Sequence, residues 1–299
     1  VLGEWHSFYL GNQGGSELIT GAIVIDDYDQ KWIIRPEALI VFNDGGTITS
    51  PGDDQVKFLS HAQYNGNIPG TKVFSLAKDK DGEIWVGTDE GVAVFYSPEY
   101  VFSEQNFDAQ QILIPRNDGT GLADILLESE TVTAITVDGA NNKWIGTERS
   151  GAYLFSPDGL NEIQHFTQEN SPLFSNNITS IAINHVSGEV FFGTSLGIIS
   201  YKGSATEGGE TNSNVFAYPN PVRPGYTGPI AVRGLVSNAS FKITDVHGSL
   251  IYSGRAEGGQ AIWDGNNFNG RRAQSGVYLV FVTDDSGNET MVTKILFMN

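Results

Sequence analysis

Four copies of one strand pattern occupy the first two hundred residues, and a chain built on such a repeat buries its apolar surface by stacking the copies side by side. The anchors are Trp32-Ile33-Ile34-Arg35, Trp85-Val86-Gly87-Thr88, Trp144-Ile145-Gly146-Thr147 and Phe191-Phe192-Gly193-Thr194. Six residues before the first three stand Asp26, Asp79 and Asp138, while Asn184 lies seven before the fourth, as a one-residue insertion requires. Ile23, Leu76 and Ile135 stand nine before the same three anchors, and Phe42, Phe95, Phe155 and Tyr201 follow all four by ten or eleven.

Each copy reads as an antiparallel meander. An alternating strand such as Val132–Val137 meets a tight Asp/Gly/Asn turn, the Trp strand follows, and a second turn leads to a third strand such as Gly151–Phe155. A looser fourth segment, Ile163–Thr167 in the third copy, completes the unit. Anchor spacings of 53, 59 and 47 residues are near or above the length of a four-stranded propeller blade. The surplus is expected in Asp44–Thr71 and Ser97–Glu130. The expected fold is therefore all-β, with β-propeller blades over residues 1–202. Trp5–Leu10 has the pattern of an outer strand and the fourth copy has none after Lys202. Either the two ends close a four-bladed ring or the copies belong to a larger propeller. Val1 opens the chain without Met or signal peptide, so a trimmed chain or fragment is expected, and with it the larger propeller.

Residues 203–214 contain no apolar side chain larger than Ala, and a flexible linker is expected there. Beyond it, alternating strands separated by turn signals at Asp245–Gly248 and Asp284–Asn288 predict an Ig-like β-sandwich over residues 215–299.

The net charge of −18 disfavours nucleic acid and anionic membrane surfaces as partners. With no cysteine, disulfides, thiolate catalysis and cysteine-ligated zinc are excluded. No apolar run approaches the eighteen or so residues of a membrane span. His6, His61, His165, His185 and His247 lack ligand spacing, so no metal site is expected. Asp79-Lys80-Asp81-Gly82-Glu83 imitates a calcium loop, but it occupies an inter-strand turn where backbone geometry already demands Asp and Gly. There is no phosphate loop and no Gly-x-Ser-x-Gly elbow, and neither a cofactor nor an enzymatic activity is expected. Arg35 and Arg149 follow Trp anchors and are the candidate ligand contacts on one propeller face.

Phe166-Thr167-Gln168-Glu169-Asn170-Ser171-Pro172-Leu173, leading into Asn177–Ile181, together with the Trp-x-Gly-Thr anchors resembles the two-component-regulator propeller repeat. Ile34-Arg35 replaces Gly-Thr in the first copy, and Phe191 replaces Trp in the fourth. The terminal motifs are Phe216–Val222, Trp263–Asn266, Ser275–Val280 and Met291–Phe297. Together they resemble the type A C-terminal sorting domain of the Bacteroidetes type IX secretion system. The Trp-Asp-Gly and Gly-Val-Tyr pattern is also similar to an Ig-like domain of flagellar hook-capping proteins.

The sorting-domain resemblance implies export through the periplasm to the cell surface, outside the outer membrane. Pro219, Asn220, Pro221, Val222, Gly276, Tyr278 and Lys294 would be the sorting-signal residues, and a sortase would cut near the linker. Propeller and sorting domain joined resemble the PorZ family of surface components, built from two propellers plus the terminal domain. That family works in the attachment complex beside the sortase and the outer-membrane shuttle, and is described as binding anionic lipopolysaccharide. The alternative is secreted cargo that binds a glycan or protein. Cargo would lose residues 215–299 at the surface, whereas a machinery component would keep them.

Overall fold

The computed structural model describes residues 3, 5–8, 10, 21–212, 214–283 and 289–298. The expected hairpin turn at 284–288 lies outside them, as does Tyr9. The first repeat copy forms the sheet β1 (Ile23–Ile25), β2 (Lys31–Arg35), β3 (Ala38–Asn43), β4 (Gln55–Leu59), in that spatial order. The outer strand of this sheet is β4, and the described part of Trp5–Leu10, with Trp5 fully exposed, is not in a strand.

After β5 (Asn65–Gly66) come β6 (Val73–Lys78), β7 (Ile84–Thr88) and β8 (Gly91–Phe95). Past β9 (Phe107–Asp108), β10 (Gln110–Gln111) adds the fourth strand outside β8. The two long insertions are partly ordered by their own pairing: β5 runs parallel to β9, and β11 (Leu113–Pro115) forms a hairpin with β12 (Ala123–Ile125). The third copy is β13 (Val132–Val137), β14 (Lys143–Thr147), β15 (Ala152–Phe155) and β16 (Glu162–Phe166). The fourth has three strands, β17 (Ile178–Asn184), β18 (Glu189–Thr194) and β19 (Gly197–Lys202).

The six-residue Asp-to-Trp spacing has a direct cause. Asp26 Oδ1 accepts the N–H groups of Tyr28 and Gln30, both at 2.9 Å, which shapes the turn. Its Oδ2 accepts the Trp32 indole N–H at 2.9 Å. Asp79 repeats the device, with Oδ1 taking Asp81 N–H at 3.0 Å and Glu83 N–H at 2.9 Å and Oδ2 taking the Trp85 indole at 3.2 Å. One carboxylate thus satisfies buried donors of both turn and ring, so neither is left unpaired in the core. The calcium-like sequence at Asp79–Glu83 is this turn.

The cores lie between sheets, as in a propeller. Trp32, Leu39 and Val41 of the first sheet pack with Leu76, Ile84 and Phe95 of the second. Trp85, Val92 and Val94 pack with Val132, Ile135 and Ile145 of the third. The glycine of Trp-x-Gly-Thr sets the distance. A Cβ on Gly87 would lie 2.6 Å from the Val132 side chain, and one on Gly146 2.5 Å from Ile178. Each glycine is therefore where the innermost strand of the next blade approaches most closely.

The chain divides into two compact units: residues 1–137, 142–182 and 191–199 in the first, and residues 138–141, 183–190 and 200–299 in the second. Beyond residue 214 the second unit contains two antiparallel sheets. One is β20 (Phe216–Tyr218), β21 (Ile230–Arg233) and β24 (Gln260–Trp263); the other has the order β23 (Leu250–Arg255), β22 (Ser240–Thr244), β25 (Gly276–Thr283), β26 (Glu289–Phe297). Val222, Ile230, Ile243, Trp263, Val280 and Ile295, none of them exposed, form the sandwich core.

Residues 203–214 correct the expectation of a linker that packs on nothing. Ala205 and Thr206 are buried, and the backbone is hydrogen-bonded within the second unit. Gly259 N–H donates to Thr206 O at 2.9 Å, Gly209 N–H to Leu235 O at 2.8 Å, and Glu207 N–H to His185 O at 2.8 Å. Side-chain composition missed this because the packing is backbone on backbone. A Cβ on Gly258 would sit 2.0 Å from Thr206 O, so the glycines act here as close-approach points.

Candidate functional site

The Pro219–Val222 segment follows β20 and runs along the outer edge of β26. Proline has no N–H to donate, and here the asparagine between the two prolines supplies the missing bonds. Asn220 Nδ2 donates to Lys294 O at 2.8 Å and its Oδ1 accepts Leu296 N–H at 2.9 Å, so the amide behaves as an added peptide group on the edge strand. The ladder continues with Val222 N–H to Leu296 O at 2.8 Å and Met298 N–H to Val222 O at 2.9 Å. Both Xaa-Pro bonds, Tyr218-Pro219 and Asn220-Pro221, are cis. Val222 is fully buried, while Asn220 and Pro221 are exposed. Capping an edge strand in this way removes part of a template for unwanted pairing.

The other expected signal residues divide between core and surface. Tyr278 is buried, its ring 5.4 Å from Trp263 and 6.1 Å from Phe297, and its hydroxyl donates to Gln274 O at 2.8 Å. Burial raises its pKa. Lys294, opposite Leu279 in the ladder, is exposed and forms no ion pair among the described residues. Gly276 is exposed, and a Cβ there would meet nothing within 4 Å, so sterics do not explain this glycine.

Arg35 ends β2 and Arg149 lies in the β14–β15 turn, so both stand at corresponding hairpins of their sheets. Those two hairpins also carry Glu37 and Glu148, and the corresponding β7–β8 hairpin carries Asp89 and Glu90. Arg149 is 85% exposed, its Nε 3.7 Å from Glu148 Oε2. The surroundings of both arginines are acidic, which disfavours an anion there.

A buried charge cluster joins the second and third sheets. Lys143 Nζ and Asp79 Oδ2 are 2.8 Å apart with neither side chain exposed. Lys143 also donates to Pro157 O at 2.6 Å and lies 4.7 Å from the centre of the Trp85 ring. Glu83 lines an adjacent cavity of about 190 Å³ with Asp81, Tyr96 and Asp158. Burial, then the negative charge of Asp79, pushes the Glu83 carboxyl up to about 7. Because the folded value lies above the ordinary one, the stability Glu83 contributes is fully present below about 4.5 and is lost as pH rises through about 7. The denaturation midpoint of the chain is expected to fall as pH rises from about 4.5 to about 7 and then to level off, and the Glu83→Gln variant to flatten that fall. Equal slopes in the two proteins would contradict the assignment.

Charge is distributed unevenly along the chain. Residues 1–202 hold 10 basic and 27 acidic side chains, whereas residues 215–299 hold 7 basic and 6 acidic. The second unit contains a cavity of about 460 Å³ whose lining includes Tyr201, Lys202, Tyr218, Tyr226, Arg233 and Gln260, and no carboxylate. The motif reading missed this site because its residues come from five separate strands and loops. The one signal available was the near-neutral charge after residue 214.

Comparison with known proteins follows this geometry. The secretion system C-terminal sorting domain family matches residues 216–298, and the two component regulator propeller family matches residues 67–90. Among solved structures, PorZ, an essential bacterial surface component of the type IX secretion system of Porphyromonas gingivalis, is 30% identical with a TM-score of 0.63. The alignment covers 99% of this chain, both units included, and 41% of that one. Across its length this chain resembles part of PorZ. It spans about two fifths of the PorZ length. The extracellular domain of a hybrid two-component system from B. thetaiotaomicron is 13% identical with a TM-score of 0.43, covering 93% of this chain and 50% of that one. No curated protein matches. Among the described residues, no helix is long and apolar enough to cross a membrane.

Proposed function

We propose that this chain is a non-catalytic surface component of the type IX attachment machinery, exported through the periplasm by its Ig-like terminal domain and held on the outer face of the outer membrane. The observation that carries the reading is the likeness to PorZ across propeller blades and sorting domain together, at 99% of this chain. Its partners on this reading are the sortase and the outer-membrane shuttle, and its ligand is an anionic lipopolysaccharide. The charge distribution favours the near-neutral terminal region over the acidic blades for that ligand, and so over Arg35 and Arg149. Asn220, Lys294 and Gly276 present the sorting signal at the surface, Pro219 and Pro221 shape its backbone, and Val222 and Tyr278 hold it from the core.

Replacing Pro219–Pro221 by Gly-Ser-Gly in the full chain, with the buried Val222 kept, and expressing it in a bacterium with an active type IX system, is expected to leave folded protein in the periplasm. Normal surface display of that variant would overturn the sorting role. Mass spectrometry of the surface form of the unmodified chain then separates machinery from cargo. A retained 215–299 region supports the first, and its loss supports cargo.

A further inference from the structure

We propose that the cavity lined by Tyr201, Tyr218 and Tyr226 binds a carboxylate- or phosphate-bearing sugar unit of an anionic polysaccharide. The proposal deepens the lipopolysaccharide reading above and rests on it for the biological source of the ligand; the chemistry of the cavity is argued from its own residues.

Its volume, about 460 Å³, falls within the span of about 300–1,000 Å³ common to small-molecule sites. The three tyrosines supply flat apolar faces with a hydroxyl at the edge, which suits a pyranose, whose C–H faces are apolar and whose rim is polar. Tyr226 is held by its hydroxyl bond to Pro229 O at 2.8 Å, and Tyr218 lines the cavity while 69% exposed. An exposed tyrosine at the mouth of a concave site is available to a ligand.

Two cations supply the charge preference. Lys202 donates to Ser187 O and Arg233 to Val186 O, so one hairpin fixes both side chains. Each uses one donor in that bond, and neither forms an ion pair among the described residues. An ammonium has three donors and a guanidinium five, so donors remain for a carboxylate or phosphate. Glu257 does not line the cavity and accepts from the Ser204 hydroxyl. Gln260 is oriented by its Nε2 bond to Ser204 O at 2.8 Å, which leaves its carbonyl oxygen to accept from a sugar hydroxyl. In a chain of net charge −18, a concave site with two fixed cations and no lining carboxylate repels an anion less than the cavity lined by Asp81, Glu83 and Asp158.

Titration calorimetry of the full chain with tetragalacturonate, maltotetraose and inorganic phosphate tests the site. Tetragalacturonate is expected to bind at least about tenfold more tightly than maltotetraose, with an affinity that falls as salt rises, and phosphate alone to give no heat at the same concentration. The double change Lys202→Gln and Arg233→Gln is expected to weaken tetragalacturonate by at least about tenfold. Because both side chains also anchor a hairpin, Tyr218→Ala, at an exposed position, serves as a second variant and is expected to weaken both oligosaccharides with an unchanged melting temperature. Equal affinity for the neutral and acidic oligosaccharides, or unmodified affinity in Tyr218→Ala, overturns the proposal. A parallel pull-down on lipopolysaccharide separates the two readings. Retention of lipopolysaccharide by variants that no longer bind tetragalacturonate overturns the cavity as the lipopolysaccharide site and leaves the lipopolysaccharide reading standing, whereas tetragalacturonate binding without lipopolysaccharide retention overturns the lipopolysaccharide reading and leaves the cavity standing.

Discussion

Lys143→Ala is expected to destabilise the first unit by about 3–5 kcal/mol, because it removes one partner of an ion pair from which water is fully excluded. Asp79 would keep its turn N–H donors and the Trp85 indole, but its charge would no longer be balanced. The Pro157 carbonyl would lose its donor as well. Guanidinium denaturation at fixed pH measures the loss. The control is the double variant Lys143→Met with Asp79→Asn, which removes both charges at similar volume and is expected to recover much of the loss. A loss below about 1 kcal/mol for Lys143→Ala would mean that water reaches the pair in solution, since exposed pairs contribute no more than that.

Trp85→Ala is expected to cost a comparable amount, about 3–5 kcal/mol, by opening a cavity between the second and third sheets. Trp144→Ala should behave alike, since both indoles are almost fully buried. Thermal unfolding checks the expectation. Full thermal stability together with lost ligand binding would contradict the core assignment. Trp85 and Lys143 share Asp79 as partner, so their losses should fall short of additivity when combined. The Glu83→Gln measurement reads the same cluster by pH and so provides an independent check on its burial.

Much of the fold was legible because the repeat encodes it locally. The Asp-to-Trp spacing is the length of a turn whose carboxylate must reach the next indole, and the glycine two residues after Trp85 and Trp144 is where the next sheet approaches. Both are short-range constraints repeated along the chain, so alignment on the tryptophans recovers them. The third strands and the outer strand of the third copy were found for the same reason. The terminal domain was legible through motifs rather than periodicity, and there the reading stopped at residue types. Nothing in Pro219-Asn220-Pro221-Val222 says that the asparagine side chain completes the edge of β26, since its partners lie more than seventy positions away.

By itself the sequence determined the all-β class, the three consecutive repeat strands of each of the four sheets, and the position of the sorting domain, because those depend on patterns within single hairpins; the outer strands β4 and β10 lie in segments it assigned to surplus loop. Only the tertiary structure decided that residues 205–209 pair with the terminal region, because backbone groups and absent Cβ atoms make that contact and leave no mark in side-chain hydrophobicity. It alone placed Lys143 against Asp79 and gathered Tyr201, Tyr218, Tyr226, Lys202 and Arg233 around one cavity. Such juxtapositions depend on how distant strands close on one another, a geometry that no local spacing contains.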